Sequence, residues 1–285
     1  MQSLIALFVN WFFQLLLGAT PLYAQVEESY AISDKLNEIS GLEMLNDSTL
    51  IAFNDGGNKS EIYLLNLKGE ILRNIDVLDT KNRDWEDIAR DDDYVYIGDI
   101  GNNTNEREKL SIVRIKIADI LTRDEVEAEQ IKFNYAEQTS FPPKNDSLYF
   151  DAEAMAVIND SIWIFTKDRS KPYQGVCHIY KVPTKPGKYT VTASDRLQIG
   201  GAGWWTDGVT AADYANGKLI LLTYNRFITY DFSENTFEKI SEFKFGGITQ
   251  RESLVVLNKD AIFVADEHNP IVGEVRLYKI KYNSD

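Results

Sequence analysis

Five oxygen-bearing side chains recur at comparable positions and have the chemistry of a hard-cation site. They are Ser40, Glu86, Glu153, Thr210 and Glu252, called the axial ring below. Ca²⁺ takes six to eight oxygen ligands, and zinc or copper would recruit the His or Cys that these positions lack. We therefore expect Ca²⁺ at the axial ring. One alternative is Mg²⁺ at the same site. The other is that these residues bind no metal and cap the strand starts through backbone hydrogen bonds.

A second set of polar residues follows the first by 13 to 15 positions. It comprises Asp55, Asp99, Asp168, Asn225 and Asp266, and nearby loops add Arg83, Arg169, Arg226, Arg251 and His268. If both sets lie at one end of the molecule, they form a polar mouth above the metal that is suited to an anionic or ring-bearing ligand. Asp and Asn are also common turn formers, which is the alternative explanation.

The elements that must position these residues are strands. From residue 29 onward, apolar and polar side chains alternate with a period of two, and no long stripe at helical spacing occurs. A unit of about 50 residues recurs five times, with an inner strand that begins at an axial-ring residue and a second strand that ends at a mouth residue. Outer strands are predicted at 71–78, 130–135, 188–198 and 237–245.

This repeat predicts an all-β fold, a single five-bladed β-propeller spanning 25–285. The fifth unit runs out of chain before its outer strand. Residues 29–36 are otherwise unassigned, so we expect them to supply it and to close the ring by pairing the two ends of the chain. The alternative is a six-bladed propeller with an extra blade within 117–151.

Residues 1–24 predict an export signal. They contain no Asp, Glu, Lys or Arg, and their apolar runs, interrupted by Asn10 and Gln14, are too short for a good membrane span. Cleavage after Ala24 would release an exported chain, periplasmic, outer-surface or secreted, without a membrane span. An uncleaved anchor is the alternative.

Composition excludes several classes of function. The chain has 285 residues and a formal net charge of −14, which makes nucleic acid an improbable partner because phosphate backbones attract basic surfaces. Cys177 is the only cysteine, so neither an internal disulfide framework nor a thiolate zinc cage can form. No GxSxG, GxxxxGK or HExxH motif is present. We expect a monomer with a small anionic ligand or a protein partner.

Several motifs resemble a family of uncharacterised exported bacterial propellers. They are Asp84-Trp85-Glu86-Asp87-Ile88-Ala89, Gly98-Asp99-Ile100-Gly101-Asn102-Asn103, Asp151-Ala152-Glu153-Ala154-Met155 and Val209-Thr210-Ala211-Ala212-Asp213-Tyr214. The axial ring is also distantly similar to that of the calcium-activated nucleotidases, or apyrases, which runs Ser, Glu, Glu, Ser, Glu. That resemblance implies a five-bladed propeller with a central Ca²⁺. The apyrase turns that carry the chemistry are replaced here, by Asn54-Asp55-Gly56-Gly57-Asn58 and Ile100-Gly101-Asn102-Asn103.

Three functions remain open from the sequence. The first is a calcium-centred propeller that binds a ligand or protein partner at the mouth without catalysis. The second is a metal-dependent phosphoester or phosphoanhydride hydrolase in which Asp55 or Asp99 orients water. The third is a lactonase- or esterase-like propeller with His268 as base. Fold does not choose among them, because propellers host all three.

Overall fold

The structure is a five-bladed β-propeller, as the repeat predicts. It is a computed structural model that describes residues 22–233, 236–268 and 273–282. Its described strands form five sheets, one per blade. The six-bladed alternative is wrong, since the stretch between the third strand of blade 2 and the first strand of blade 3 holds a short helix, the outer strand of blade 2 and a strand that joins blade 1.

The strands are numbered in chain order. Two precede the first blade, β1 (Leu22–Tyr23) and β2 (Gln25–Ala31). Blade 1 contains β3 (Ile39–Asn46), β4 (Thr49–Asn54), β5 (Glu61–Asn66) and β6 (Ile71–Leu78). Blade 2 contains β7 (Trp85–Arg90), β8 (Tyr94–Asp99), β9 (Leu110–Lys116) and β11 (Glu129–Tyr135), with β10 (Glu125–Glu127) before its outer strand.

The remaining blades follow the same plan. Blade 3 contains β12 (Asp151–Ile158), β13 (Ser161–Lys167), β14 (Val176–Pro183) and β16 (Ala193–Gln198), with β15 (Gly187–Val191) before its outer strand. Blade 4 contains β17 (Val209–Ala215), β18 (Lys218–Thr223), β19 (Arg226–Ser233) and β20 (Thr236–Lys244). Blade 5 contains β21 (Arg251–Asn258), β22 (Ala261–Asp266) and β23 (Arg276–Lys281).

Helices are few and short. They are α1 (Ile117–Thr122), α2 (Trp204–Asp207) and two 3₁₀ turns, Asp34–Leu36 and Asn145–Ser147. Within the described ranges, no helix has the length and apolar character needed to cross a membrane. The predicted export signal lies almost wholly outside the described residues, and it stays a prediction.

The hydrophobic core is divided among the five interfaces between blades. Each apolar cluster lies between the facing surfaces of two neighbouring sheets. One of them packs Phe53 of blade 1 against Trp85 of blade 2. Their rings meet edge to face at 5.4 Å, and Trp85 is fully buried. Trp85 is therefore a packing residue.

The ends of the chain close the ring. Strand β2 pairs antiparallel with β23, with Gln25 opposite Lys281 and Ala31 opposite Arg276. The predicted closure is confirmed, but the strand is Gln25–Ala31 instead of 29–36, because the following residues turn into the 3₁₀ helix Asp34–Leu36. Just before it, β1 pairs parallel with β20 of blade 4, which places Leu22 and Tyr23 in the fold.

The segment before an outer strand repeatedly covers the edge of the preceding blade. Strand β10 pairs parallel with β6, β15 with β11, and β1 with β20. The prediction of one outer strand over 188–198 is therefore wrong, since its first part belongs to blade 2 and only Ala193–Gln198 belongs to blade 3. Each added strand covers an edge that would otherwise be unpaired. Because the added strand comes from the segment that leads into the next blade, it also links neighbouring blades.

Asp87 ties three blades together near the axis. Its carboxylate accepts hydrogen bonds from the backbone N–H groups of Ile88 at 2.9 Å, Met155 at 2.8 Å and Ala212 at 3.1 Å. These donors belong to blades 2, 3 and 4, and Asp87 is fully buried. The buried N–H groups depend on one side chain for their acceptor, so Asp87 determines how these inner strands meet.

We expect removal of Gln25–Ala31 to produce an aggregating protein, because β23 would become an exposed outer edge with unpaired backbone groups. Light scattering and thermal unfolding of the truncated chain measure this. A control that removes only residues 1–21 should behave like the parent. A truncation at Ala31 that stays soluble and melts with the parent would contradict the role of this pairing.

Asp87→Ala should lower the free energy of unfolding by roughly 3 kcal/mol or more, because buried donors left without an acceptor cost about 1 to 3 kcal/mol each. Asp87→Asn keeps one carbonyl oxygen and should lose less. Chemical denaturation of both variants tests this order, with the exposed Asp47→Ala as control. Equal losses in Asp87→Ala and Asp47→Ala would show that the three-blade contact adds nothing.

Candidate functional site

All five axial-ring residues lie on a β-bulge at the same register of the inner strand. The ladder between first and second strands shifts between Ile39/Gly41, Trp85/Asp87, Ala152/Ala154, Val209/Ala211 and Arg251/Ser253, and each axial-ring residue is the one skipped. A bulge redirects the extra residue out of the regular alternation. The fold thus brings the predicted ring to the mouth end of the channel.

The two hydroxyl members bridge neighbouring blades. Ser40 donates to the Glu86 carbonyl at 2.6 Å, and Thr210 donates to the Arg251 carbonyl at 2.7 Å. Both side chains are buried. Their hydrogens are used in these contacts, while each hydroxyl oxygen keeps lone pairs that can accept or ligate.

Two of the three glutamates already face a cation of the chain itself. Glu153 pairs with the Lys167 ammonium, which also donates to the Tyr224 hydroxyl at 2.9 Å. The same hydroxyl donates to Glu252 at 2.8 Å. Because Lys167 is buried, its charge offsets the carboxylates on the side of blades 3 to 5. A cation held by all five ring residues at once stays a prediction.

Glu86 instead faces two further carboxylates. Oxygens of Asp55, Asp84 and Glu86 lie within 4.8 Å of one another, and we call these three residues the acidic cluster. Glu86 is only 5% exposed, and the largest influences on its carboxyl group are burial and the charges of neighbouring carboxylates. Among the described residues, the cation that pairs with a member of the cluster is Arg107, which lies 3.8 Å from Asp84.

The three carboxyl groups of the acidic cluster have raised pKa values. Burial raises the pKa of Asp55 and of Asp84 to about 6. Burial also raises the pKa of Glu86 well above its usual range, and the neighbouring Glu153, Asp55 and Asp84 charges add to the effect. Crowded, desolvated carboxylates of this kind either hold protons or bind a cation. Three carboxylate oxygens at this separation fit Ca²⁺ or Mg²⁺.

Two glycines make room for the cluster. A Cβ at Gly56 would lie 2.6 Å from a carboxylate oxygen of Asp84, and a Cβ at Gly101 would overlap carboxylate oxygens of Glu86 and Asp84. Any larger residue at these positions would displace the acids. The turns that differ from the apyrase motifs are therefore shaped around these carboxylates.

Several predicted mouth residues have structural roles instead. Asp168 accepts from the N–H groups of Ser170 and Gly175 and shapes its own turn, as the turn-former alternative predicts. Arg226 is buried and pairs with Asp207 at 2.7 Å, and its NH1 also donates to Asn225. Neither Asp168 nor Arg226 is available to a ligand.

The mouth residues of blade 5 also point to packing or solvent. Arg251 donates to the Tyr224 carbonyl at 2.6 Å and lies 3.7 Å from the buried Asp266. His268 is exposed, and its backbone N–H donates to the Asn37 carbonyl. The structure does not bring His268 into an ion pair or side-chain hydrogen bond within the residues that it describes.

The remaining mouth residues differ in their contacts. Asp55 belongs to the acidic cluster, and Asp99 pairs with Arg107 at 2.7 Å. Arg169 pairs with Asp151 and with Glu153, both at 2.7 Å. Arg83 is exposed and opens onto a cavity beside the mouth.

An aromatic platform lies next to the Lys167 side of the mouth. Trp204 and Trp205 stack at 4.3 Å, and Trp205 meets Tyr224 at 5.5 Å. Trp205 is 52% exposed, whereas the Arg169 guanidinium lies 5.0 Å above the Trp204 ring. The exposed indole face is suited to stacking on a ring-bearing ligand.

Asp84, Asp151 and Arg107 were not predicted from the sequence. A signal was present for the two acids, because each stands two residues before a ring glutamate, at the spacing that returns to one face of a strand. No local pattern indicates Arg107, which reaches the mouth from the long loop between β8 and β9.

Comparisons with known proteins show the fold alone. No family model and no curated protein sequence matches the chain. Among solved structures, it is similar to the PQQ-bound aldose sugar dehydrogenase of Streptomyces coelicolor, at 10% identity and a TM-score of 0.53 over 92% of this chain and 99% of that one. It is also similar to the glutaminyl cyclase of Myxococcus xanthus, at 12% identity and a TM-score of 0.56 over 92% of this chain and 98% of that one. A third similar structure is a luciferin-regenerating enzyme, at 9% identity and a TM-score of 0.50 over 90% of this chain and 95% of that one.

We expect the metal-free protein to lose stability as the pH rises. Asp55 and Asp84 release their protons near an ordinary 3.8 when unfolded but near about 6 when folded. Their stabilising contribution is complete below 3.8 and is lost as the pH rises through about 6. In chelator, the melting temperature should therefore be several degrees lower at about pH 8 than at about pH 5.

Millimolar Ca²⁺ should restore stability at the higher pH and have little effect at the lower one, because protons compete for the same carboxylates. Asp84→Asn is the matched variant, since it removes one charge at nearly constant shape. A pH profile and a Ca²⁺ response identical to those of the parent would show that the acidic cluster is not their source.

Proposed function

We propose that this protein is an exported hydrolase of phosphate esters or anhydrides whose activity depends on a divalent cation of the Ca²⁺ class at the acidic cluster. The observation that carries the proposal is the buried Glu86 carboxylate, which has an oxygen within 4.8 Å of carboxylate oxygens of both Asp55 and Asp84. A cation bound there would polarise a phosphoryl oxygen of the substrate.

The chain's own residues then have distinct roles. Glu86 and Asp84 hold the site in place, each against a glycine that leaves room for its carboxylate. Asp55, the third carboxylate of the cluster, is the candidate to orient the attacking water. Asp99, the other candidate from the sequence, is buried in an ion pair with Arg107.

Arginines border the site on two sides. Arg107 lies 3.8 Å from Asp84, and Arg169 of the neighbouring blade 3 is held by Asp151 and Glu153. Both guanidinium groups keep part of their surface exposed, at 22% and 16%. Arginine presents paired N–H donors that match phosphate oxygens, so these two are the candidates to bind the substrate anion.

A second candidate function is ligand binding without turnover. The exposed Trp205 face, stacked on Trp204 beside the mouth, favours it. The three similar solved propellers are enzymes by name, but their low identity transfers no activity to this chain. Turnover therefore has to be measured.

Purified protein should hydrolyse a phosphoester or phosphoanhydride in the presence of Ca²⁺, and chelator should abolish the reaction. Glu86→Gln should lower kcat/KM by about 100-fold, since a fixed electrostatic contact to the reacting group is lost. The panel should include nucleotides, phosphomonoesters and lactones, with phosphate release or ring opening as readout.

Asp47→Asn, an exposed change at the far end of blade 1, is the control and should leave turnover unchanged. Chelator-sensitive opening of lactones alone would favour the esterase alternative. Binding of panel compounds without any turnover would favour the non-catalytic function. Turnover that resists both chelator and Glu86→Gln would contradict a role for the acidic cluster.

A further inference from the structure

A basic groove runs outward from the mouth between blades 1 and 2. Its inner part is a cavity of about 550 Å³ lined by Arg83, Arg107, Lys81 and Lys109 among others. A second cavity of about 350 Å³ adjoins it through Lys109 and Lys132 and extends to Lys188 on β15. The two cavities share Lys109 and Lys132, and together they extend from the loops beside the mouth to the outer edge of blade 2.

The charge of this groove is opposite to that of the protein. Its lining carries six cations, Lys81, Arg83, Arg107, Lys109, Lys132 and Lys188, against two carboxylates, Asp79 and Asp99. The whole chain has 30 basic and 44 acidic residues. Within the described residues, only Arg107 of the six lies within ion-pair distance of a carboxylate. A cleft lined by one sign of charge concentrates ligands of the opposite sign.

Arg107 connects the groove to the acidic cluster. Arg107 lines it and also lies 3.8 Å from Asp84 of the cluster. Arg83 lies one residue before Asp84 in the chain and lines the same cavity. An anion bound at the inner end of the groove would therefore contact Arg107, the cation that also approaches the candidate cation site.

The lining residues recognise charge in preference to rings. Most of the cations are lysines, which act as point charges on flexible stems. Phe133 and Tyr189 are the aromatic residues of the lining. Phe133 is 2% exposed, and the Tyr189 hydroxyl donates to the Lys185 carbonyl. Single-stranded nucleic acid needs exposed aromatic faces on which successive bases stack, and this groove does not provide a row of them.

We propose that the groove binds the successive phosphate groups of a linear polyphosphate-type anion, with one end of that chain at the acidic cluster. This inference rests on the proposed phosphohydrolase function and specifies its substrate class. The mouth itself is rich in carboxylates, so the groove supplies the positive potential that such a substrate needs for its approach.

The test is calorimetric binding of inorganic pyrophosphate, tripolyphosphate and long-chain polyphosphate, measured in chelator so that the groove is tested without a bound cation. Affinity should rise with chain length and fall steeply with added salt. The triple variant Lys109→Ala, Lys132→Ala, Lys188→Ala should lose at least tenfold in affinity for the long chain, with pyrophosphate affinity changed less than twofold.

The control is Lys68→Ala, Lys116→Ala, Lys185→Ala, which removes three exposed lysines at the opposite ends of the strands. It should bind the long chain like the parent, and both triple variants should melt like the parent. Affinity independent of chain length, or an equal loss in both triple variants, would overturn the proposal. Tighter binding of polygalacturonate or of an oligonucleotide than of polyphosphate would do the same.

Failure of the hydrolase proposal gives a different pattern. In that case turnover is absent with Ca²⁺ present, while the length-dependent binding and its loss in the groove variant remain. If turnover of short phosphoanhydrides is chelator-sensitive but long chains bind no better than short ones, the hydrolase proposal stands and the groove proposal is wrong.

Discussion

Carboxylates that a fold places at a narrow axial channel must be balanced, and this requirement organises the mouth of the propeller. On the side of blades 3 to 5, the balance comes from the chain, because Lys167 lies between Glu153 and the Tyr224 hydroxyl that reaches Glu252. On the side of blades 1 and 2, Glu86 lies against the carboxylates of Asp55 and Asp84. The asymmetry locates the candidate chemistry, since an unbalanced buried carboxylate binds either a proton or a cation.

The repeated bulge explains how a symmetric fold produces an asymmetric site. Every inner strand carries the same irregularity at the same register, so every blade directs one side chain towards the axis. What differs is the residue on the second strand or in its turn. Blade 3 ends its second strand with Lys167, whereas blade 1 follows its second strand with Asp55 and Gly56. With Asp55 aligned to Asp168, Lys167 stands where blade 1 has Asn54 and Arg169 stands where blade 1 has Gly56, so blade 3 supplies two cations at positions where blade 1 has none.

The architecture was predictable because it depends on short-range patterns repeated five times. Alternation, turn residues and the ring positions each recur, so one ambiguous unit, such as the one that starts at Thr210, is corrected by the others. The exchanged strands were not predictable, since β10 was not assigned from the sequence and β15 falls almost wholly within the predicted outer strand 188–198, and only tertiary packing assigns both to the preceding blade. The ion-pair partners of charged residues were also not predictable from the sequence. Whether Arg226 meets a ligand or Asp207 depends on a contact between distant segments.

The exchanged strand β15 also bears on the basic groove. It carries Lys188 to the outer edge of blade 2, beside Lys132 of β11, although β15 belongs in sequence to blade 3. Two cations in adjacent parallel strands repel each other, and such a pair is tolerated only because both side chains are exposed to water. An anion bound across them would relieve that repulsion. The same device that protects the edge of blade 2 therefore also builds the outer part of a surface suited to a chain of negative charges.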